Sequence, residues 1–272
     1  MFRERFLVTV ILGPLGLFLV YLGGWFYFLP IAAILMLAAY EYSKLTQKLN
    51  WRVPTWQLLP IVLALWLATI PKLVGLDLDT AVYIPHLLLI GLLATLIYAL
   101  WLYEKRPQEK ALGSWMAMVA GIMLLGWLGS HFFRLRALDD MAVQWTALTL
   151  LASWSADGAA FLVGKSIGRH KLSPRLSPKK TVEGYIGGIV FGTLITAIVA
   201  SILEMALIPV IILSLVISIA TPAGDLGISL LKREAEVKDS GQFLPGHGGA
   251  LDRVDTILWS VTIAFYLIPL LT

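Results

Sequence analysis

LLLIGLLATLIYALWL, residues 87–102, contains no charged side chain and lies within a longer apolar segment, residues 81–102. A helix needs about 20 apolar residues to cross the roughly 30 Å hydrocarbon core of a bilayer. Backbone polar groups in that core must be satisfied within the segment itself, so a spanning segment of this kind is predicted to be helical. Eight more apolar segments of similar length surround it, at about 6–28, 29–47, 56–76, 111–135, 141–164, 184–204, 206–231 and 251–271.

The composition agrees with a chain that is mostly embedded in lipid. Of the 272 residues 58% are hydrophobic, and the mean hydropathy is +0.82. Soluble domains contain about 45–50% apolar residues. We therefore predict one all-α, polytopic integral membrane domain, residues 1–272, with about nine transmembrane helices: a scaffold in residues 1–140 and the catalytic helices and loops in residues 141–272. Cysteine is absent, which excludes disulfides and thiolate metal sites.

Basic residues are distributed unevenly over the loops. With the N-terminus in the cytoplasm, 18 of the 21 lysines and arginines fall in cytoplasmic segments, because only Lys72, Arg134 and Arg136 fall outside. Cytoplasmic loops of membrane proteins carry such an excess of positive charge. The pattern therefore predicts a cytoplasmic N-terminus, and it explains the pI of about 9.2 without nucleic acid as a partner.

Two loops and two spans carry polar residues that topology does not require. The loops are GKSIGRHKLSPRLSPKKTVEG, residues 164–184, and KDSGQFLPGHGGALDRVD, residues 238–255. Asp157 and Asp225 lie in apolar segments, where a carboxylate costs about 2.5–3.5 kcal/mol and usually faces a partner or a wet cavity. For both, a structural polar contact between helices stays an alternative. Glu41 lies near a cytoplasmic span end, where its carboxylate is expected to reach water.

The spacing of the acidic residues indicates a magnesium site. Asp225, Ser229 and Lys232 lie at i, i+4 and i+7 and share a helix face. Asp252 and Asp255 lie at i and i+3 at the start of the last span, where carboxylates are favourable. Mg²⁺ uses one or two carboxylates and leaves positions for phosphate oxygens. We expect Asp225 and Asp252 to share one ion, with Asp255 as a ligand or an orienting residue.

Glycines in the segment PGHGGALDR allow backbone N–H groups to approach an anion closely. Basic residues beside acidic ones suit a metal-bound polyphosphate, because each sign of charge then has a ligand. The alternative is a solvated loop with incidental charge.

Residues 229–255, SLLKREAEVKDSGQFLPGHGGALDRVD, resemble the signature of the phosphatidate cytidylyltransferases, or CDP-diacylglycerol synthases. That signature has a serine, a Lys-Arg pair, Lys-Asp, a Pro-Gly-His-Gly-Gly stretch and a closing Asp-Arg-x-Asp. A second family element, Ser-Pro-x-Lys-Thr-x-Glu-Gly, is matched by residues 177–184. The family often has glycine near Ala235 or Glu236, and this difference concerns only the local turn.

The resemblance implies Mg²⁺-dependent transfer of a cytidylyl group from CTP to phosphatidic acid in the lipid bilayer, giving CDP-diacylglycerol and pyrophosphate. The implied location is the bacterial inner membrane, with the active site facing the cytoplasm. His247 is expected to donate a hydrogen bond, since a lipid phosphate is already ionised and needs no strong base. The implied catalytic residues are Asp225, Lys232, Lys238, Asp239, His247, Asp252, Arg253 and Asp255, of which Asp225, Asp252 and Asp255 are the metal candidates. The implied substrate-binding residues are Ser177, Lys179, Lys180, Thr181, Ser229, Arg233, Gly246, Gly248 and Gly249.

Two other functions stay open at this stage. A CTP-dependent polyprenol or phytol kinase has a similar membrane setting, but the full Pro-Gly-His-Gly-Gly and Asp-Arg-x-Asp run is not expected in it. A transporter also uses carboxylates inside the membrane, but it more often contains internal repeats, and none is visible here. The oligomeric state is open, with a homodimer as one alternative.

Overall fold

The computed structural model describes residues 13–74, 76, 80–138, 141–241 and 248–272, and the side chains of residues 80 and 81 are not described. Helices dominate these residues. Their bounds are α1 Gly13–Leu22, α2 Gly24–Gln47, α3 Thr55–Leu67, α4 Ile70–Leu73, a 3₁₀ turn at Thr80–Tyr83, α5 Ile84–Lys105, α6 Ala111–Gly121, a π-helical segment at Ile122–Leu128, α7 Gly129–Arg136, α8 Ala142–Ile167, α9 Val182–Ile202, α10 Leu207–Glu234 and α11 Leu251–Leu271.

Seven helices in the described part of the chain are long and apolar enough to cross a membrane. They are α2, α5, the continuous run from α6 to α7, α8, α9, α10 and α11. An all-α membrane protein is thereby confirmed. The two remaining predicted spans correspond to shorter apolar helices, Gly13–Leu22 and Thr55–Leu67, and the first of these predicted spans begins outside the described residues.

The break between the first two predicted spans lies five residues earlier than expected. The sequence placed it between residues 28 and 29, just before Pro30, whereas α2 begins at Gly24 and contains Pro30. The chain leaves helical geometry at Gly23, whose φ is 66°. Arg136 lies against this break and donates from Nε to the Val20 carbonyl at 2.6 Å. Pro30 is the seventh residue of α2, so it lies inside the helix and removes one intrahelical hydrogen bond.

The chain divides into two compact units. The first comprises residues 1–137 and Leu231–Val254, and therefore contains helices α1 to α7, the end of α10, the loop before α11 and the first turn of α11. Buried polar side chains of this unit bond to backbone carbonyls of neighbouring helices: the Tyr27 hydroxyl donates to Phe132 at 3.2 Å, and the Trp66 indole donates to Leu125 at 3.0 Å. The carbonyl of Leu125 lies in the π-helical segment. Such bonds satisfy polar groups that lipid cannot hydrate.

The second unit comprises Leu138–Leu230 and Asp255–Thr272. Its helices α8 and α9 pack so closely that a Cβ at Gly188 would lie 2.8 Å from the Ala156 carbonyl oxygen. Small residues at a helix interface allow such an approach within a membrane. Exposed leucine, isoleucine, valine and phenylalanine side chains cover the opposite face of α9, as expected for a surface in contact with lipid.

A short β-hairpin connects α8 to α9, and the all-α prediction did not include it. Strand β1, Lys171–Ser173, pairs antiparallel with β2, Ser177–Thr181, with Lys171 opposite Thr181. Side chains alternate between the two faces of a strand. Consequently the consecutive residues Lys179 and Lys180 differ in environment: Lys179 is exposed, whereas Lys180 is half-buried.

Candidate active site

In the first unit, we call the loop between α10 and α11, residues 235–250, the motif loop. Its described part is organised around an ion pair between Lys232 and Asp252. Lys232 lies near the end of α10 and is only 8% exposed, and its Nζ lies 2.6 Å from Oδ1 of Asp252 in the first turn of α11. The second carboxylate oxygen, Oδ2, accepts from the backbone N–H and the hydroxyl of Ser240, both at 2.9 Å, and from the Gly249 N–H at 3.0 Å. Both oxygens of Asp252 therefore already have partners.

The glycines of this loop approach a carboxylate of the protein itself. Gly248 has a φ of 81°, a conformation that residues with a side chain rarely adopt. A Cβ at Gly248 would lie 2.8 Å from Oδ2 of Asp252. The sequence predicted that these glycines allow the backbone to approach an anion. In the described part of the loop, the anions that the glycines approach are the carboxylates of Asp252 and Glu41.

In the second unit, a separate set of charged residues surrounds Asp225. This hairpin cluster, as we call it, consists of Asp157, Lys180, Asp225 and Thr256. The Lys180 ammonium of strand β2 forms an ion pair with Oδ2 of Asp225. Asp157 on α8 is close enough to Lys180, Asp225 and Thr256 to interact electrostatically with all three.

Close helix packing brings the start of α11 to this cluster. A Cβ at Gly224 would lie 2.6 Å from the Asp255 carbonyl oxygen and 3.3 Å from Cα of Thr256. Thr256 therefore packs against α10 beside Asp225. The Asp255 side chain is buried, and its Oδ1 accepts from the Thr256 N–H at 2.8 Å.

The hairpin is held in place by two residues of the second family element. Thr181 caps α9, because its hydroxyl accepts the Gly184 N–H at 3.1 Å, as is typical of a threonine at this position. Glu183, in the first turn of α9, accepts the backbone N–H groups of Arg169 at 3.0 Å and of His170 at 3.2 Å. Its carboxylate also contacts the His170 ring. The described contacts of Thr181 and Glu183 are thus local and structural.

The remaining predicted residues differ in their exposure. Ser229 is buried and Ser177 is half-buried. Five are exposed and accessible to a ligand: Lys179, Arg233, Lys238, Asp239 and Arg253. Gly246 and His247 lie outside the described residues.

Glu41 was not predicted as a site residue, and its environment was predicted wrongly. We expected its carboxylate to reach water, but the residue is only 6% exposed and accepts hydrogen bonds from Ser240, Ala250 and Leu251. The available signal was an acidic residue within an apolar helix, the same signal that singled out Asp157 and Asp225.

The donor chemistry of the hairpin cluster suits magnesium better than a metal with nitrogen or sulfur ligands. Asp157 and Asp225 supply carboxylates and Thr256 a hydroxyl, all oxygen donors of the kind that Mg²⁺ prefers. Among the described residues, no group of three or more acidic or histidine side chains is close enough to form a metal site. If the cluster holds Mg²⁺, water molecules and substrate phosphates must therefore supply the other ligands of the ion.

Known proteins resemble this chain over nearly its whole length. The chain is 31% identical to a phosphatidate cytidylyltransferase of Synechocystis sp., over 98% of this chain and 97% of the relative. It is 32% identical to a protein of that name from Pseudomonas aeruginosa, over 97% of this chain and 95% of the relative. It is 29% identical to one from Bacillus subtilis, over 98% of each chain. The family model described as "Cytidylyltransferase family" matches residues 3–271. The chain therefore belongs to the cytidylyltransferase family.

Proposed function

We propose that the protein transfers a cytidylyl group from CTP to phosphatidic acid, producing CDP-diacylglycerol and pyrophosphate for phospholipid biosynthesis. The observation that carries this proposal is the similarity, over nearly the full length of both chains, to proteins named phosphatidate cytidylyltransferase. The seven long apolar helices support a reaction on a substrate that resides in the membrane.

The reaction requires neutralisation of charge more than acid or base chemistry. An oxygen of the lipid phosphate attacks the α-phosphorus of CTP, the bond from the α-phosphorus to the bridging oxygen breaks, and pyrophosphate leaves with the bond electrons. Two anions must approach each other, so positioning and positive charge are the main contributions. Lys232 can supply such charge, because an ammonium has three N–H donors and the contact with Asp252 uses one. The exposed guanidiniums of Arg233 and Arg253 suit bidentate phosphate contacts.

Mg²⁺ is the proposed cofactor, and the hairpin cluster is its best-supported position. Asp225 and Asp157 would hold the ion, with the Thr256 hydroxyl beside them. When bound, the ion withdraws charge from nucleotide phosphate oxygens. Lys180 would then exchange part of its contact with Asp225 for substrate phosphate. The sequence prediction that Asp252 and Asp255 also act as ligands stays a prediction.

A direct assay tests the activity. In detergent with Mg²⁺, we expect release of pyrophosphate from CTP only when phosphatidic acid is present, and a chelator should abolish it. Asp225→Asn protein purified in the same way controls for contaminating host enzyme. Transfer of the γ-phosphate of CTP to a polyprenol would contradict the proposal and support a lipid kinase.

We propose nine membrane crossings, with the N-terminus, the hairpin and the motif loop all in the cytoplasm, where CTP is available. This arrangement requires α1 and α3 to cross as well, and it rests on the cytoplasmic excess of 18 of 21 basic residues. In a bacterium the corresponding location is the inner membrane.

Single cysteines test this topology without a background signal, because the chain has none. Cysteines introduced at the exposed positions Lys171 and Glu234 should react with an impermeant maleimide only in inside-out vesicles. Cysteines at the exposed positions Lys72 and Glu204 should react only in intact spheroplasts. Labelling of Lys171→Cys from outside would separate the hairpin from cytoplasmic CTP and overturn the topology.

A further inference from the structure

The carboxylate of Glu41 makes hydrogen bonds with both of its oxygens. Oε1 accepts the Ala250 N–H at 3.0 Å, and Oε2 accepts the Leu251 N–H at 2.9 Å. These N–H groups belong to the start of α11, where the first N–H groups of a helix have no partner within it. Negative charge is also favourable at this end of a helix. Glu41 therefore fixes the beginning of the helix that carries Asp252.

Ser240 connects Glu41 to the ion pair of the motif loop. Its hydroxyl lies 2.9 Å from Oε2 of Glu41 and 2.9 Å from Oδ2 of Asp252. One hydroxyl hydrogen can be donated to only one acceptor fully, so the two carboxylates compete for it. A continuous series of polar contacts thus runs from Glu41 through Ser240 and Asp252 to Lys232.

The carboxylate of Glu41 leaves no space for a side chain at two glycines of the loop. A Cβ at Gly241 would collide with Oε1 of Glu41, and a Cβ at Gly249 would collide with Oε2. The two glycines lie on either side of residues 242–247. The loop is therefore fitted to the Glu41 carboxylate at both of these positions, which is an observation independent of the hydrogen bonds.

We propose that Glu41, outside both family motifs, is a positioning residue for the cytidylyl transfer: it sets the placement of Asp252 and, through it, the ammonium of Lys232. This inference rests on the proposed function, because it assigns Lys232 a role in binding substrate phosphate. Glu41 itself touches no reacting atom. Residues that orient a catalytic group in this way typically contribute about 10- to 100-fold in activity.

Glu41→Gln is the main test, because it preserves size but replaces one acceptor oxygen with an NH₂ donor. That donor faces backbone N–H groups or the Ser240 hydroxyl. We expect turnover at subsaturating substrate to fall about 10-fold or more, mainly through a higher KM for CTP or phosphatidic acid, because Glu41 acts through the phosphate-binding Lys232. Glu41→Asp keeps the charge but is shorter by one methylene, so it should recover part of the lost turnover. It also serves as the test variant if Glu41→Gln does not fold.

Hydrogen–deuterium exchange provides a readout that does not depend on activity. In the Glu41 variants, peptides covering residues 238–255 should exchange faster, because Glu41→Gln removes one of the two oxygens that accept the Ala250 and Leu251 N–H groups and Glu41→Asp withdraws the carboxylate from them. Tyr42→Phe is the matched control: it removes a buried hydrogen bond of 2.8 Å to the Ala117 carbonyl from the next residue of the same helix. Exchange in residues 238–255 and turnover should be unchanged in Tyr42→Phe.

The outcomes separate this proposal from the proposed function. Faster exchange in the loop together with lower turnover supports the positioning role. Unchanged exchange, or faster exchange with wild-type turnover, overturns it. If wild-type protein fails to make CDP-diacylglycerol while the loop of the Glu41 variants exchanges faster, the proposed function is wrong and the structural contact is retained.

Discussion

Asp225→Asn is expected to lower turnover about 100-fold or more, as does removal of other residues that act as a unit with a metal. Its carboxylate pairs with Lys180 and lies close to Asp157, so the substitution removes one of two negative charges available to a cation. The Mg²⁺ concentration at half-maximal rate should rise in the same variant. Turnover measured against Mg²⁺ concentration provides both values.

Asp157→Asn should behave in the same way if both carboxylates hold one ion. The double substitution should then cost little more than the worse single one, because the ion is already lost. Glu204→Gln, an exposed acidic residue of the same unit, is the control and should leave the Mg²⁺ dependence unchanged. Effects that simply multiply, with wild-type Mg²⁺ dependence in each single variant, would show that the metal assignment is wrong.

The same cycle with Asp225→Asn and Asp252→Asn tests the sequence prediction that these two residues share an ion. Asp252 already has four partner contacts, one to Oδ1 and three to Oδ2. If Asp252 acts through Lys232 instead, its loss should change the KM for CTP or phosphatidic acid and leave the Mg²⁺ dependence of the rate close to wild type.

Hydropathy was sufficient to locate the long helices. The prediction for the last span, residues 251–271, coincides with α11, Leu251–Leu271, because the charged loop before it ends where the apolar sequence begins. The hairpin was not foreseen, since strands of three and five residues provide too little alternation to stand out from a polar loop. The break at Gly23 depends on backbone geometry at a glycine, which hydropathy does not report.

The candidate site was predictable only in part. Ionisable residues in apolar sequence identified Asp157 and Asp225, and the family motifs identified Lys180, Lys232 and Asp252. Glu41 was misjudged because its partner Ser240 is 199 residues away. No local spacing rule connects residues at that separation, and a glutamate near a span end has an ordinary explanation as a group that reaches water.

The second large expected effect is a loss of stability when the buried ion pair of Lys232 and Asp252 is broken. Each side chain is only 10% exposed, so neither charge is well hydrated once its partner is removed. Breaking a buried pair on one side typically costs about 3–5 kcal/mol. Lys232→Ala should lower the free energy of unfolding by about 3 kcal/mol, near the lower end of this range, because Ser240 and Gly249 still donate to Asp252. Thermal and denaturant unfolding in detergent measures this loss.

Kinetics of Lys232→Ala should differ from those of Asp225→Asn. We expect a higher KM for CTP or phosphatidic acid, with residual turnover that still depends on Mg²⁺, since the hairpin cluster does not include Lys232. Loss of turnover with wild-type KM values for both substrates would contradict a phosphate-binding role for this ammonium.

Lys232→Arg separates the two roles of the residue. A guanidinium keeps the positive charge and pairs well with a carboxylate, but its planar fork presents donors in other directions than an ammonium does. Stability should therefore recover more fully than substrate affinity. Lys48→Ala, an exposed lysine in the same unit, is the matched control and should change stability by less than about 0.5 kcal/mol. Equal recovery of stability and affinity in Lys232→Arg would mean that Lys232 acts only as a partner for Asp252.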